Sequence, residues 1–365
     1  MRLSPTLSRY IGRQFLIWFG VFFAGLAFII FVADVLELLR RSASKPDATL
    51  GIVLGMAVFK LPHTAEALMP FAILFSGIMA FWRLTRSNEL VVARAVGVSV
   101  WQFMLPAVIA AVLLGAIKVT VFNPIAAAML ARYEALDAKV LHGQVNQLTI
   151  APSGLWLRQN APEGGQAILH ASRVAGSLAE LQAVTVLLYN PDNSFSGRLD
   201  AASAVLEPGR WRLENTYYAP SGQPSEPIGR YTLPTDFTVD KIQESFARPE
   251  TMSFWSLPGY IDLLQRAGFS AIRHRLYLQS LLAGPLLLSA MVLIAATFSL
   301  RPARRGGVGT MIGLGVGSGF LLYFLSDLVF ALGLSARIPV VLAAWAPAMI
   351  SSLLGLAMLL HLEDG

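Results

Sequence analysis

Six long runs of apolar residues are the main pattern along the chain. Each holds about 18 or more residues with few charges, and a helix rising 1.5 Å per residue needs about 20 residues to cross roughly 30 Å of hydrocarbon. Each run therefore predicts a membrane-spanning helix, and the last two follow each other closely enough to form a hairpin. The runs lie at 15–32, 62–82, 100–122, 276–300, 308–334 and 338–360.

The first apolar run has the position of a secretory signal but not its pattern. It is longer than a usual signal core, and Asp34-Val35-Leu36-Glu37 follows it in place of the small residues of a cleavage site. We interpret this run as a retained first span.

A different pattern fills the stretch between the third and fourth runs, residues 141–250. Short segments rich in β-forming residues alternate there with Pro, Gly, Asn and Ser turns, which is typical of a sandwich or jelly roll. The predicted strands include 154–158, 183–189, 211–215 and 237–239.

Composition and charge agree with a membrane protein that carries one soluble insertion. The chain is 55% hydrophobic and 14% charged, whereas soluble domains hold about 25% charged residues. Within 141–250 there are 8 Lys/Arg and 11 Asp/Glu, so the overall net charge of +6 comes from the membrane part. No basic soluble surface remains for nucleic acid. The absence of cysteine excludes disulfides and thiolate metal sites.

Basic residues in the short loops predict the orientation of the spans. With the N-terminus inside, nine basic residues fall inside and four outside, so both termini are predicted to be cytoplasmic and the β domain to lie outside. The inner set is Arg2, Arg9, Arg13, Arg83, Arg86, Arg94, Arg301, Arg304 and Arg305, and the outer set is Arg40, Arg41, Lys45 and Arg337.

The charged stretch RLTRSNELVVARAVGVSV, residues 83–100, separates the second and third runs. With Ser87 as N-cap and Gly97 as C-terminal stop, it predicts a helix over 88–96, too short to cross a bilayer. Two interpretations are open: a turn at the membrane interface, or a coupling helix that docks on a cytoplasmic motor, its charges meeting the partner while Leu90, Val91 and Ala93 fill a groove. The candidate coupling residues are Arg86, Glu89, Leu90, Arg94 and Gly97.

A second set of basic residues lies near the predicted outer ends of the spans. Ionisable groups in such places are functional candidates, and guanidinium groups donate bidentate hydrogen bonds to phosphate. We predict that this set holds the phosphates of an amphiphile entering from the outer leaflet. Alternatively, the side chains extend to ordinary headgroups or pair with Asp34, Glu37 and Glu66. The candidates are Arg40, Arg41, Lys45, Lys60, Lys118, Arg273 and Arg275.

Two further patterns concern the second half of the membrane part. Residues 253–267 predict an amphipathic helix along the outer membrane face, with Phe254, Trp255 and Tyr260 as interface anchors. Seven glycines between 306 and 319 predict close helix packing, as either a static contact or a sliding seam.

The run Asn88-Glu-Leu-Val-Val-Ala-Arg-Ala-Val-Gly-Val-Ser99 resembles the E-L-x-x-x-x-x-x-G-x-S stretch of the LptF/LptG permeases of lipopolysaccharide export. The opening Arg9-Tyr-Ile-Gly-Arg-Gln-Phe is similar to that family's N-terminus, and 338–347, IPVVLAAWAP, resembles the last span of its LptG branch. The order of three spans, β domain and three spans also agrees. The resemblance covers essentially the whole chain.

This resemblance implies a permease that takes lipopolysaccharide from the outer leaflet of the inner membrane of a Gram-negative bacterium. Its partners would be an F-type permease paralogue in a heterodimer, a dimeric cytoplasmic ABC ATPase, a periplasmic bridge protein that receives lipid from the β domain, and a single-span regulatory membrane subunit. The chain has no G-x-x-x-x-G-K-[ST] loop. We therefore expect no cofactor in this chain, with ATP and Mg²⁺ bound by the partner.

The predicted fold class is an α-helical polytopic membrane protein with six transmembrane helices and an inserted all-β, periplasmic, jelly-roll-like domain. Residues 1–140 hold three spans and a coupling helix at about 87–97, 141–250 the β domain, and 251–365 the amphipathic helix and three further spans.

We predict a transport subunit and not an enzyme. The histidines are scattered without carboxylate partners at metal-ligand or catalytic spacing. The rival function is an ABC-associated mechanotransmission protein that regulates a periplasmic enzyme, and copurifying partners would discriminate between the two.

Overall fold

The three-dimensional structure is a computed structural model of the whole chain. It describes residues 5–43, 49–95, 97–142, 148–151, 154–160, 165–174, 180–192, 194–235, 237–238, 248–266, 270–299 and 308–363.

Helices make up the first and last parts of the chain. The helices before the β insertion are α1 (Pro5–Ser42), α2 (Leu50–Arg86), α3 (Glu89–Ala95), α4 (Val100–Ile117) and α5 (Asn123–Asp137). Those after it are α6 (Leu257–Arg266), α7 (Ile272–Ser299), α8 (Val308–Leu334) and α9 (Val340–Glu363).

Within the described residues, six helical segments are long and apolar enough to cross a membrane. The third of them, Val100–Val140, joins α4 to α5 through a π-helical turn at Lys118–Phe122. A second π-helical turn, Ala138–His142, follows α5. The protein is thus a helical membrane protein with an inserted β domain, which confirms the predicted class and number of spans.

The first two helices are longer than their apolar runs. α1 has 38 residues and α2 has 37, which corresponds to about 55 Å each at 1.5 Å per residue. That length is nearly twice the hydrocarbon thickness. Hydropathy predicted only the central parts because charged residues such as Arg40 and Lys60 lie on the extensions.

The chain divides into two compact units. The helical unit contains residues 1–141, 250–255 and 275–365, and the β unit contains 142–249 and 256–274.

Small residues allow the helices of the helical unit to cross closely. A Cβ atom on Gly77 of α2 would lie 2.7 Å from the Cβ of Ala295 in α7. A Cβ on Gly115 of α4 would lie 2.5 Å from the Cα of Pro285, which is also in α7. α7 therefore packs directly against both α2 and α4.

Gly313, Gly315, Gly317 and Gly319 of α8 fall into two groups. A Cβ on Gly315 or Gly319 would meet side chains of α2, namely Ile78 and Leu74, at 2.5 and 2.6 Å. A Cβ on Gly313 or Gly317 would meet no atom within 4 Å. One face of the helix thus makes the predicted close packing, here against α2, whereas Gly313 and Gly317 on the other face lie in open space.

The β unit contains a sheet in which neighbouring strands are antiparallel and follow the order of the chain. Among the described residues, its strands are β1 (Leu148–Ala151), β2 (Gly154–Asn160), β3 (Gln166–Val174), β4 (Glu180–Tyr189), β5 (Phe195–Glu207), β6 (Arg210–Pro220) and β7 (Glu226–Pro234).

This strand order differs from that of a jelly roll. A jelly roll is built from two Greek keys, whereas each described strand pairs with its neighbours in the chain. Tight turns favour the consecutive pairing, and Gly209 and Gly222 supply the left-handed backbone in two of them, with φ of 77° and 74°. The predicted all-β insertion is confirmed, but its described strands form a meander. Phe237 and Thr238 lie outside any strand, and Val239, the rest of that predicted strand, lies outside the described residues.

The sheet curves strongly. The side-chain amide of Gln159 in β2 donates to the carbonyl of Pro234 at the end of β7 (2.8 Å), and the hydroxyl of Thr235 donates to Gln159 Oε1 (2.7 Å). In a flat sheet, five spacings of about 4.8 Å would separate these strands by roughly 24 Å. Curvature encloses an apolar face that includes Leu199 and the fully buried Trp211.

The predicted amphipathic helix is present as α6. Its apolar residues Leu257, Ile261 and Leu264 are buried, and Asp262 and Arg266 on the opposite face form an exposed ion pair at 2.7 Å. Its position along the membrane surface stays a prediction.

The crossing of α4 and α7 should be sensitive to a single methyl group. Gly115→Ala places a Cβ against the backbone of Pro285, and overpacking of this kind costs about 1–3 kcal/mol. We expect a melting temperature several degrees lower in detergent. Gly55→Ala in α2 is the matched control because its added Cβ meets no atom within 4 Å. Equal melting temperatures for the two variants would show that the crossing relaxes.

Candidate coupling and lipid-binding sites

The predicted coupling segment contains a short helix, α3, directly after α2. Asn88 makes the corner with a left-handed φ of 59°, a conformation that Asn tolerates better than most residues. The backbone N–H of Ser87 donates to the carbonyl of Arg83 (2.9 Å). Ser87 therefore caps the end of α2 and is not the N-cap of α3 that the sequence predicted.

The C-terminal end of α3 depends on Gly97. The Gly97 N–H donates to the Arg94 carbonyl (2.9 Å) and the Val98 N–H to the Ala93 carbonyl (3.0 Å). These are the two bonds of a Schellman motif, with Gly97 at the left-handed position, φ 86°. The Ser99 hydroxyl then accepts from the Gln102 N–H in a capping box that starts α4. The segment is therefore fixed at both ends.

The candidate coupling residues do not all face outward. Arg86, Arg94 and Gly97 are exposed, and Glu89 is half-buried. The prediction that Leu90 contacts a partner is wrong, because Leu90 is buried in the core of the helical unit and anchors α3 there. Val92 of α3 is apolar and exposed, and the sequence pattern did not single it out.

The carboxylate of Glu89 is held by hydroxyl groups from two directions. Ser87 donates to Glu89 Oε1 at 2.8 Å, and Tyr10 of α1 donates to the same oxygen at 3.4 Å. One turn further along α1, Gln14 accepts from an Arg83 guanidinium N–H at 2.9 Å when its amide oxygen is oriented toward that donor. The start of α1 thus contacts the corner between α2 and α3.

Three of the candidate lipid-binding residues are paired with carboxylates on α1 and α5. Arg40 makes a bidentate pair with Glu37, both bonds 2.9 Å long. Arg41 lies 3.5 Å from Asp137 of α5, and Lys60 of α2 lies 2.6 Å from Asp34 of α1. Tyr133 is adjacent to this group: its hydroxyl donates to Asp137 Oδ1 (3.4 Å), and Lys60 lies 6.0 Å from its ring centre.

Lys118 lies in a separate and more sheltered group. Its Nζ is 3.7 Å from Oε1 of Glu66, and the two side chains are only 16% and 7% exposed. Lys118 begins the π-helical turn, and π-turns are frequent at functional sites. In this structure Lys118 has an interior partner, so its role in binding lipid stays a prediction.

Polar contacts surround the same π-helical turn. Asn123 donates to the hydroxyl of Tyr277 in α7 (3.0 Å) and accepts from the Phe254 N–H (2.9 Å). The indole N–H of Trp255 donates to the Thr120 carbonyl (3.1 Å). Trp255, predicted as a membrane anchor, is exposed and also satisfies a backbone carbonyl of the π-helical turn.

The remaining candidates are not brought into these groups. Arg273 and Arg275 are exposed in the first turn of α7, and Lys45 lies outside the described residues. Pairing with Asp34, Glu37 and Glu66, the alternative that the sequence left open, is observed for Lys60, Arg40 and Lys118. Asp137 was missed, and its only sequence signal is its position at the end of the third span, four residues after Tyr133.

Comparison with known proteins shows the family to which the chain belongs. The family model for the lipopolysaccharide export system permease LptF/LptG matches residues 9–361. The chain belongs to the LptF/LptG family.

Within the described residues, no group of three or more His, Cys, Asp or Glu side chains could hold a metal ion.

Individual relatives agree with this family and with its LptG branch. The chain is 24% identical over 368 residues to the lipopolysaccharide export system permease protein LptG of Escherichia coli strain K12, with 99% of each chain covered. It is 22% identical over 359 residues to the protein of the same name from Haemophilus influenzae, with 94% of this chain and 95% of the relative covered.

Lys118 and Glu66 should depend on each other for stability. Lys118→Met leaves a carboxylate buried without its cation, and breaking a buried pair costs about 3–5 kcal/mol. Lys118→Met with Glu66→Met removes both charges and should restore most of the lost melting temperature. Arg40→Met, in an exposed pair, is the control and should melt like the wild type. A double variant no more stable than Lys118→Met would rule out this coupling.

Proposed function

We propose that this permease is the transmembrane subunit of an ATP-driven exporter. It takes lipopolysaccharide from the outer leaflet of the inner membrane and passes it through the β domain to a periplasmic bridge protein. The observation that carries the proposal is α3, a short helix fixed at both ends, with exposed charges beside the long helix α2. Family membership supplies the substrate class.

In this proposal α3 receives the work of a separate dimeric ABC ATPase, which binds ATP and Mg²⁺. Leu90 anchors the helix in the core, while Arg86, Val92 and Arg94 are exposed for contact with the partner. Glu89 is oriented by Ser87 and Tyr10. A helix anchored on one side and charged on the other can transmit a displacement into α2.

The lipid enters beside the outer end of α1. Arg40 and Arg41 are the two most exposed of the ion-paired candidate cations, and guanidinium groups suit phosphates because they donate two parallel hydrogen bonds. Arg273 and Arg275 are further candidates for the same lipid, and so is Lys45.

The exposed faces of the helices support a partner in the membrane. In their most apolar stretches, 6% of α1 and 17% of α8 is buried, against 56% of α2 and 61% of α7. We infer that α1 and α8 face lipid and an F-type paralogue, and that a single-span regulatory subunit and the bridge protein complete the assembly. Both termini are cytoplasmic in this arrangement, as the distribution of basic residues predicts.

Reversal of charge on α3 should break docking of the ATPase. Glu89→Arg places a cation where the partner meets a carboxylate and removes the acceptor of the bonds from Ser87 and Tyr10. The ATPase should no longer copurify with the permease, while the β domain keeps its resistance to proteolysis. Glu226→Arg, an exposed charge reversal on β7, should leave copurification intact. Recovery of the ATPase with Glu89→Arg at the wild-type ratio would contradict the coupling role.

Removal of two guanidinium groups should weaken the response to lipid. In the assembled complex, Arg40→Ala with Arg41→Ala should raise the lipopolysaccharide concentration for half-maximal ATPase stimulation by about tenfold or more, since a hydrogen bond to a charged group contributes about 1.5–3 kcal/mol and about 1.4 kcal/mol is tenfold. Assembly should be retained. Arg337→Ala, an exposed arginine before α9, is the control. Stimulation at the wild-type concentration would reject this lipid-binding role.

A further inference from the structure

The basic residues at the outer end of α1 and on α2 are electrically balanced. We call Arg40, Arg41 and Lys60 the basic cluster. Each has a carboxylate partner of its own, and these carboxylates lie on α1 and α5. The pairs are Arg40–Glu37 at 2.9 Å, Arg41–Asp137 at 3.5 Å and Lys60–Asp34 at 2.6 Å. The three carboxylates therefore balance the three positive charges of the basic cluster.

The three pairs form a gradient of exposure. The side chains of Arg40 and Glu37 are 78% and 47% exposed, and those of Arg41 and Asp137 are 37% and 19% exposed. Lys60 and Asp34 are the most sheltered, at 29% and 13%. A ligand that approaches from the surface therefore meets Arg40 and Arg41 first and Lys60 last.

Because its charge is balanced by carboxylates, the basic cluster does not select an anionic ligand by long-range electrostatic attraction. An incoming anion gains strong contact with a cation only where it replaces the carboxylate already bound. A lipid with one phosphodiester carries a single negative charge, so the exchange replaces like with like. A phosphomonoester carries about −1.5 to −2 charges at neutral pH and has three acceptor oxygens. A lipid with several such groups therefore displaces the carboxylates much more effectively.

We propose that Asp34, Glu37 and Asp137 are specificity-determining residues. They occupy the basic cluster while no substrate is bound, and they are displaced by a lipid that carries at least two phosphomonoester groups. Lipids with one phosphodiester, which fill the surrounding bilayer, do not displace them. This inference rests on the proposed function, because it takes the basic cluster as the site that receives the lipid headgroup.

The geometry of Asp34 fits this exchange. Its Oδ1 contacts Lys60, while its Oδ2 is buried and makes no hydrogen bond within the described part of the chain. A buried carboxylate that is only half satisfied is an expensive arrangement. The missing hydrogen bond favours release of the cation, because a fully hydrogen-bonded carboxylate would be held in place and would resist displacement.

The test compares two lipids in the assembled permease–ATPase complex. Glu37→Gln with Asp137→Asn removes two carboxylates at nearly constant shape. A photoreactive residue at Leu36, an exposed position one residue before Glu37, reports which lipid is adjacent. The probes are nanodiscs of phosphatidylglycerol alone and nanodiscs of phosphatidylglycerol with lipopolysaccharide. Crosslinking and lipid-stimulated ATPase activity are both measured.

In the wild type, lipopolysaccharide should stimulate the ATPase and crosslink, and phosphatidylglycerol alone should do neither. In the double variant, the preference for lipopolysaccharide should fall about tenfold because phosphatidylglycerol gains access. Asp262→Asn is the matched control, since it removes an exposed carboxylate from the ion pair with Arg266 on α6. It should keep the wild-type preference. Glu37→Gln alone should show a smaller loss. Because the Glu37 side chain is 47% exposed, a folding defect would not account for that loss.

Each other outcome decides the matter. A wild-type preference in the double variant, with a normal response to lipopolysaccharide, would overturn the inference and leave the proposed function intact. An equal loss in Asp262→Asn would also overturn it, because bulk charge would then explain the effect. If lipopolysaccharide neither stimulates nor crosslinks in the wild type, the proposed function itself fails.

Discussion

Hydrocarbon offers no hydrogen-bond partners, and this constraint shapes the helical unit. A charge on a membrane-spanning helix has to find a partner inside the protein or reach the interface. Lys118 meets Glu66, Lys60 meets Asp34, and Asn123 meets Tyr277. Each contact joins two helices. The polar residues that would be unfavourable in lipid therefore help to specify which helices are neighbours.

Close backbone contact complements these polar links. Lipid tails are as apolar as leucine, so helix association relies on close packing of surfaces. Gly115 and Gly77 let α7 approach α4 and α2, and the same helix supplies Tyr277 to Asn123. α7 is therefore bound both by shape and by hydrogen bonding, which agrees with its high buried fraction. α1 also packs through apolar side chains: Ile11 and Phe15 are buried in the core, and Phe22 contacts Phe75 of α2.

Much of the fold could be predicted because it follows from local pattern. The length of each apolar run is enough to predict six spans, and short strands with turns predict the β insertion. The turn at Gly97 was also predictable, since a left-handed helix stop strongly favours glycine. The burial of Leu90 was not, because a seven-residue helix has too few positions to define its inward face. The curvature of the sheet brings Gln159 to Thr235 across five strand spacings, a contact that no local pattern indicates.

The candidate lipid site shows the same division. The basic residues could be selected from the sequence, since charge near an apolar run is visible there. Their partners depend on helix packing: Asp34 and Lys60 lie 26 residues apart, and Arg41 meets Asp137 across most of the first half of the chain. Charge counted along the sequence therefore left both a positive site and a paired site open. The folded structure has a balanced one.

Under the proposed function, a balanced site offers a physical route from lipid to motor. A ligand shifts a conformational equilibrium only if its contacts differ between the two states. The pairs Lys60–Asp34 and Arg41–Asp137 hold α1 to α2 and α5, so a lipid that takes the cations also removes links that restrain α1. The opposite end of α1 contributes Tyr10 to Glu89 beside α3. Because coupling between two sites is reciprocal, the proposed coupling predicts that a motor moving α3 also changes how firmly the outer end of α1 holds lipid.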